Sequence, residues 1–408
     1  MPKKQLNSAT TALIIPISDH NIAQLYNCLT SDAHRFVLLA SKKYQDHRQR
    51  FAGVLQKLRP SSQVDSKNLP DNADCYQALC NFAREDLLPL SHSHRLELNG
   101  SGGTKVIPLA LLDCLPIERV HYKGQFDDHL QSWQPGNPDS YQEQKLDKLI
   151  EAQHALDLYA SKTYPLPTQA NAFSDAPNAQ AMANSIWQQY QDPDSVMSWL
   201  AAELASSPWY QPQAKSGSFS ISIPETRWQD TDGLQWLAQL ADFSQGQLQL
   251  KPKQLIIRHQ KQKKSLAQQF KRWLSGIWLE DLVHQWLSER IEPTQLLRGL
   301  SPSSTGEQGN QRELDFVCFY QTAGYVIETK VTHKPNQAPN EMVQQLSSLA
   351  DQFGKLNKVL LLSPLFFQSA RTEKALNQFV DYCKGHGVRL CRSKAELLAL
   401  FNHKKSKP

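Results

Sequence analysis

No apolar run in these 408 residues approaches the ~20 positions needed to cross a bilayer; the longest, Val359–Leu362 and then Leu365–Phe367, suit buried core elements. The opening MPKKQLNSATT carries two lysines but no apolar stretch behind them, so no secretory signal is expected. Cysteine is sparse and unpaired in spacing. The seven residues Cys28, Cys75, Cys80, Cys114, Cys318, Cys383 and Cys391 contain no Cys-x-x-Cys, which argues against a zinc site or a disulfide framework and for ordinary thiols in a reducing cytoplasm. Internal repeats are absent too. Acid is missing from one long stretch: between Lys251 and Arg272 there is no Asp or Glu, whereas Lys251, Lys253, Arg258, Lys261, Lys263, Lys264, Lys271 and Arg272 all fall there. The overall charge is only +5, so this block, not the total, is the feature that would attract a polyanion.

The length suits two or three domains, and the apolar periodicity divides the chain accordingly. In residues 1–163, short apolar strands at Thr11–Ile17, Arg35–Ala40, His94–Leu98 and Arg119–Tyr122 alternate with helices at Asn21–Leu29, Tyr44–Leu58, Cys75–Leu88 and Thr104–Cys114. That alternation predicts a parallel sheet with right-handed crossovers, hence a Rossmann-like α/β fold. Residues 133–143 read as a loop, and Lys145–Lys162 as a helix. Residues 164–264 begin with a Pro- and Asn-rich linker, Tyr164–Gln180. Helices at Ala181–Leu204 and Gly233–Phe243 and a strand pair in Gln245–Ile257 then suggest a helical, winged-helix-like insert. Residues 265–408 open with a strongly amphipathic helix, Ser265–Arg290, followed by strands Glu313–Tyr320 and Gly324–Thr329. Helices at Asn340–Phe353, Thr372–Gly385 and Lys394–Phe401 and strands at Lys358–Leu362 and Gly387–Cys391 complete a second α/β unit.

Two clusters carry chemistry. In ELDFVCFYQTAGYVIETK a hairpin brings Asp315 and Glu328 to one end of a sheet, and Lys330, two residues on, faces the same way as Glu328. Two carboxylates can hold a divalent cation, which polarises a phosphate and acidifies a bound water, while a lysine orients or deprotonates that water and offsets developing charge. Upstream, Glu280 and Asp281 interrupt an apolar helix, where an acid could complete the metal site. The second cluster is Leu98-Asn-Gly-Ser-Gly-Gly-Thr-Lys105, a glycine-rich turn between a strand and a helix. Such a turn lets backbone amides approach an anion, although it lacks the Walker A spacing.

Gly276-Ile-Trp-Leu-Glu280, Glu313-Leu-Asp315 and Ile327-Glu328-Thr-Lys330 resemble the PD-(D/E)xK nuclease domain of the CRISPR ancillary nucleases that carry a CARF sensor domain. Asn99-Gly-Ser-Gly-Gly-Thr-Lys105 is similar to the glycine loop of those CARF domains, with Ser101 in place of a threonine. Gln345-Leu346 fits the pattern, whereas Asp351-Gln-Phe-Gly354 has one glycine where family members often have two. The resemblance implies an N-terminal CARF domain, a restriction-endonuclease-like C-terminal domain, and a catalytic set of Asp315, Glu328 and Lys330. It implies Mn²⁺ or Mg²⁺ held by Glu280, Asp315 and Glu328, and a homodimer that binds a cyclic oligoadenylate, cyclic tetra-adenylate first among them. The ligand would lie against Ser18, Asp19, His20 and Asn21 and against Asn99, Ser101, Gly102, Gly103, Thr104 and Lys105. DNA or RNA would be the substrate, steered by Lys261, Lys263, Lys264, Lys271 and Arg272. An unregulated restriction- or repair-type nuclease and a non-cutting DNA-binding regulator are the alternatives.

Overall fold

The computed structural model describes residues 10–124, 129–146, 150–159, 171–207, 209, 217–260, 262, 265–300, 314–320, 323–331, 339–351, 356–368 and 373–401. Its first sheet contains β1 (Thr10–Pro16), β2 (Arg35–Ala40), β3 (Gln63–Asn68), β4 (His94–Asn99), β5 (Ile117–Tyr122), β6 (His129–Gln134) and β7 (Asn137–Lys145), in the order β3-β2-β1-β4-β5-β6-β7. The pairings from β3 to β5 are parallel, and β6 and β7 extend the sheet antiparallel. Alternation along β1 explains the layering. Leu13 and Ile15 belong to the core beneath helices Ile22–Thr30 and Gln45–Leu58, whereas Ala12 and Ile14 belong to the core of the opposite face, under Tyr76–Phe82 and Val106–Cys114.

The expected loop at 133–143 is a hairpin. Pro135 and Gly136 form its turn, with Gly136 at φ +76°, and β7 is almost wholly exposed and polar, so it shows neither alternation nor an apolar run. The same reason hid β3, a polar edge strand held to β2 by the Arg35–Asp65 pair at 2.6 Å. Of the helix expected at Lys145–Lys162, the described residues contain only Ala152–Asp157.

The middle unit carries helices Ala179–Gln189, Val196–Ser206 and Thr231–Phe243 and the strands β8 (Gly217–Ser222), β9 (Leu248–Lys251) and β10 (Gln254–His259). Its order, β8-β10-β9, adds a third strand to the expected pair and gives a winged-helix-like layout. The helix expected at Ala181–Leu204 is broken between Gln189 and Val196, where Ser195 caps the second helix by accepting from the Ser198 amide.

The last sheet contains β11 (Leu296–Leu300), β12 (Leu314–Tyr320), β13 (Ala323–Lys330), β14 (Asn357–Leu362) and β15 (Val388–Cys391), in chain order. β11, β12 and β13 run antiparallel, then β14 and β15 are parallel to β13. The amphipathic helix of 265–290 is present but bent: Leu266–Arg272 and Trp278–Ser288 flank a wide turn with non-helical backbone at Gly276. Trp273, Trp278, Leu282 and Trp286 bury its apolar stripe against the middle unit and one face of the sheet, so both units share one core. Burying each such side chain stabilises the fold by about 1.5–3 kcal/mol, which fixes where the bend delivers Glu280. No described helix is long and apolar enough to cross a membrane.

Candidate functional sites

In the first sheet the chain runs outward from β1 to β3 and returns on the other side of β1 at β4, so the strand order reverses between β1 and β4. Ligands of open α/β sheets bind at such a point, beyond the carboxyl ends of the strands. Both expected binding loops lie there, Ser18–Asn21 after β1 and the glycine loop after β4. The glycine loop packs against the elements on either side of the first loop: a Cβ placed on Gly102 would come within 2.4 Å of the Pro16 carbonyl and 2.1 Å of the Gln24 amide nitrogen.

The residues assigned to ligand binding divide into two groups. Asp19, Gly103, Thr104 and Lys105 are exposed, and Ser18, His20 and Ser101 are half-buried. Asn21 and Asn99 are fully buried and hold the framework of the two loops. Asn21 closes its own loop, accepting from the Ser18 amide at 3.0 Å and donating to the Ser18 carbonyl at 2.8 Å. Asn99 accepts from Asn27 at 2.7 Å and from the Ser101 amide at 3.1 Å, and donates to the Gln24 carbonyl. Gln24, Asn27 and Lys123 were missed. Gln24 donates to Ser18 Oγ at 3.0 Å, Asn27 donates to Ser101 Oγ at 2.9 Å, and the Lys123 amide donates to the same hydroxyl at 2.7 Å. A signal existed: Asn21, Gln24 and Asn27 recur every third residue along a helix whose other inward positions are apolar.

Lys105 sits at the start of helix Val106–Cys114, where the helix dipole disfavours a cation. An anion in front of it would remove that conflict. If the expected cyclic tetra-adenylate is that anion, Lys105→Ala should weaken its binding about tenfold by calorimetry, with an unchanged melting temperature. Equal affinity would make the loop an ordinary turn.

In the last sheet Phe316 pairs with Ile327, which sets Asp315 opposite Glu328 one residue further along. Asp315 Oδ2 accepts from the Thr329 amide at 2.7 Å and the Thr329 hydroxyl at 2.8 Å. Lys330 Nζ donates to Glu328 Oε1. Burial, and then the Asp315 charge, push the Glu328 carboxyl up to about 7 against the opposing pull of Lys330. Burial alone would lower the Lys330 ammonium, but the charges of Glu328, Asp315 and Glu280 hold it above its ordinary value. Without a cation, those charges favour the protonated form of Lys330.

Glu280 and Asp281 part company. Asp281 accepts from Ser174 Oγ at 2.7 Å, Trp273 Nε1 at 3.1 Å and Arg298 at 2.7 Å, a structural anchor. Glu280 pairs with Arg298 Nη2 at 3.3 Å and lies close enough to act on the Lys330 charge. Among the described residues no three acid, histidine or cysteine side chains gather into a ready-made metal cluster, and Glu280 is engaged by Arg298. The remaining pair still fits a hard divalent cation. Glu328 Oε2 is buried without a hydrogen-bond partner, which costs about 1–3 kcal/mol unless something else satisfies it.

Of the basic block, Lys261, Lys263 and Lys264 lie outside the described residues. Lys271 is half-buried and donates to the Trp209 carbonyl, so it does not stand out toward a polyanion as expected. Arg272 is exposed.

A switch-point crevice in one sheet and an acid–lysine site in another are therefore combined in a single chain. No family model and no curated protein matches it by sequence. Solved structures do match it over its length. Can2 from Sulfobacillus thermosulfidooxidans, in complex with cyclic tetra-adenylate (cA4), superposes with a TM-score of 0.67 at 16% identity, covering 96% of this chain and 100% of that one. The protein VC1899 from Vibrio cholerae gives 0.66 at 14% identity, with 96% of each chain covered. At these identities the likeness is one of fold, and it includes both sheets and the unit between them.

Proposed function

We propose that this protein is a metal-dependent nuclease switched on by a cyclic oligoadenylate, acting in CRISPR antiviral defence. What carries the reading is the union of the two sites in one chain whose fold follows that of cA4-bound Can2 from end to end. Asp315 and Glu328 would hold Mn²⁺ or Mg²⁺, with Glu280 reaching them when it leaves Arg298; the cation supplies polarisation of the scissile phosphate and a more acidic bound water. Lys330, in its protonated form, donates to the phosphate oxygens and neutralises charge as it builds there. Asp315 is fixed for this by the two Thr329 donors. The activator would lie across two copies of the crevice in a homodimer, against Thr104 and Lys105 of each. DNA or RNA would be cut, with exposed Arg258 and Arg272 facing the polyanion.

The DNA-binding regulator is disfavoured by the last sheet: a protein that binds without cutting needs no Asp315, Glu328 and Lys330 gathered at one strand end. The test is incubation with plasmid, single-stranded DNA and RNA in Mn²⁺ or Mg²⁺, with and without each cyclic oligoadenylate. Cleavage should be near background alone and rise at least about tenfold with cyclic tetra-adenylate. Equal cutting under all conditions would leave an unregulated nuclease and remove the sensor.

A further inference from the structure

Residues 150–159 lie between the first and last sheets and are bonded to both sides. At the near end the Ile150 amide donates to the Tyr26 hydroxyl at 3.1 Å, and Tyr26 lies on the helix that follows the Ser18–Asn21 loop. At the far end the buried Tyr159 sets its hydroxyl beside the backbone of Asn21 and Ile22, and Arg50 donates to the Tyr159 carbonyl at 2.7 Å. Between them the helix Ala152–Asp157 packs against β11 and β12, where Ala152 and Ala155 are small enough for close approach. Gln295, almost fully buried just before β11, donates to the Ile150 carbonyl. β12 is the strand that bears Asp315.

We infer that this segment, with Tyr159 and Gln295 as its two fastenings, is the element through which the state of the ligand crevice reaches the metal site. The inference rests on the proposed function for what is being regulated. Asn21 closes the loop after β1, so a ligand that shifts the loop shifts the backbone beside Tyr159. Moving the loop alone would leave the buried Tyr159 hydroxyl without polar neighbours, and the bond from Ile150 to Tyr26 ties the other end, so the loop and the segment move together. The segment is short, tied at both ends and pressed along its middle onto the β11–β12 edge, so its displacement is passed on to the strand of Asp315 instead of being absorbed. A connection of this kind is what coupling between two separated sites requires.

The test uses the full-length protein with Tyr159→Phe, which removes only the hydroxyl, and Gln295→Met, which keeps the volume and frees the Ile150 carbonyl. Hydrogen exchange without any ligand is the first readout. Each variant should raise exchange at both ends of the path, in Asn21–Gln24 and in β11–β12, although each substitution sits at one end. The second readout uses cyclic tetra-adenylate: its affinity should stay within about threefold of wild type, while stimulation of cleavage should fall about tenfold. Exchange that rises only beside the substituted residue overturns the inference, as does full stimulation in both variants. Should Tyr159→Phe fail to fold, Gln295→Met alone decides. A wild-type protein indifferent to cyclic tetra-adenylate would count against the proposed function, and the ligand-free exchange pattern would still decide the connection.

Discussion

Glu328→Gln and Asp315→Asn should each lower cleavage by about three orders of magnitude while leaving the binding of cyclic tetra-adenylate unchanged. Each substitution keeps the volume and deletes a charge. The fold should survive, because the neighbouring strands Leu314–Tyr320 and Ala323–Lys330 hold themselves through Phe316, Val317, Val326 and Ile327. Asp315→Asn should also loosen Thr329, whose amide and hydroxyl both donate to Oδ2. The pH dependence follows from Glu328. Its carboxyl is raised to about 7, so the fraction able to take a cation falls as pH drops below that value. Cleavage at limiting Mn²⁺ should thus rise about tenfold per pH unit up to about 7 and then level off. Stability runs the opposite way. The folded chain binds this proton more tightly than the unfolded chain, so without metal stability should decline as pH climbs from the ordinary carboxylate range through about 7. Added Mn²⁺ should cancel that decline in a melting series. Undiminished cleavage by both variants would sink the site.

The parts of the fold that could be read in the sequence are those where burial dictates composition. β2 spans Arg35–Ala40 as expected because both of its faces are covered and nearly every residue is apolar. The hairpin of Asp315 and Glu328 was equally legible, since its two strands are apolar throughout and its polar residues are few enough to stand out. Edge strands were not legible. Gln63–Asn68 and Asn137–Lys145 contain no buried side chain, so backbone pairing places them, and that leaves no trace in residue type. The sites divide in the same way. Residue types pointed to Glu328 and Lys330, which the structure sets in contact, but type alone could not separate Glu280 from Asp281. That distinction depends on Ser174, Trp273 and Arg298 converging on Asp281 from three separate stretches of chain. Asn99 likewise has the residue type of a ligand contact and the position of a framework group.

Gly102→Ala should abolish activation more completely than the loss of any side chain in the crevice. Its added methyl would sit 2.1 Å from the Gln24 amide nitrogen and 2.4 Å from the Pro16 carbonyl oxygen, both far inside contact distance. Neither atom can give way cheaply. Pro16 belongs to the paired backbone of the first strand, and Gln24 is held by Ser18 Oγ and Asn21 Oδ1 at 3.0 and 3.3 Å. The loop itself must therefore lift, at a cost of about 1–3 kcal/mol, and carry Gly103, Thr104 and Lys105 away from the Ser18–Asn21 side. Affinity for cyclic tetra-adenylate should fall about 10–100-fold, matching that cost at about 1.4 kcal/mol per tenfold change. Gly100→Ala is the control. Its nearest neighbour would be Val120 Cγ1 at 3.3 Å, a side-chain methyl that can yield by a few tenths of an ångström, so binding should stay near wild type. Because Asp315 and Glu328 lie in the other sheet, Gly102→Ala should leave the proposed binding of Mn²⁺ there unchanged. Normal activation of Gly102→Ala would show that the ligand does not depend on the close packing of the glycine loop against Pro16 and Gln24.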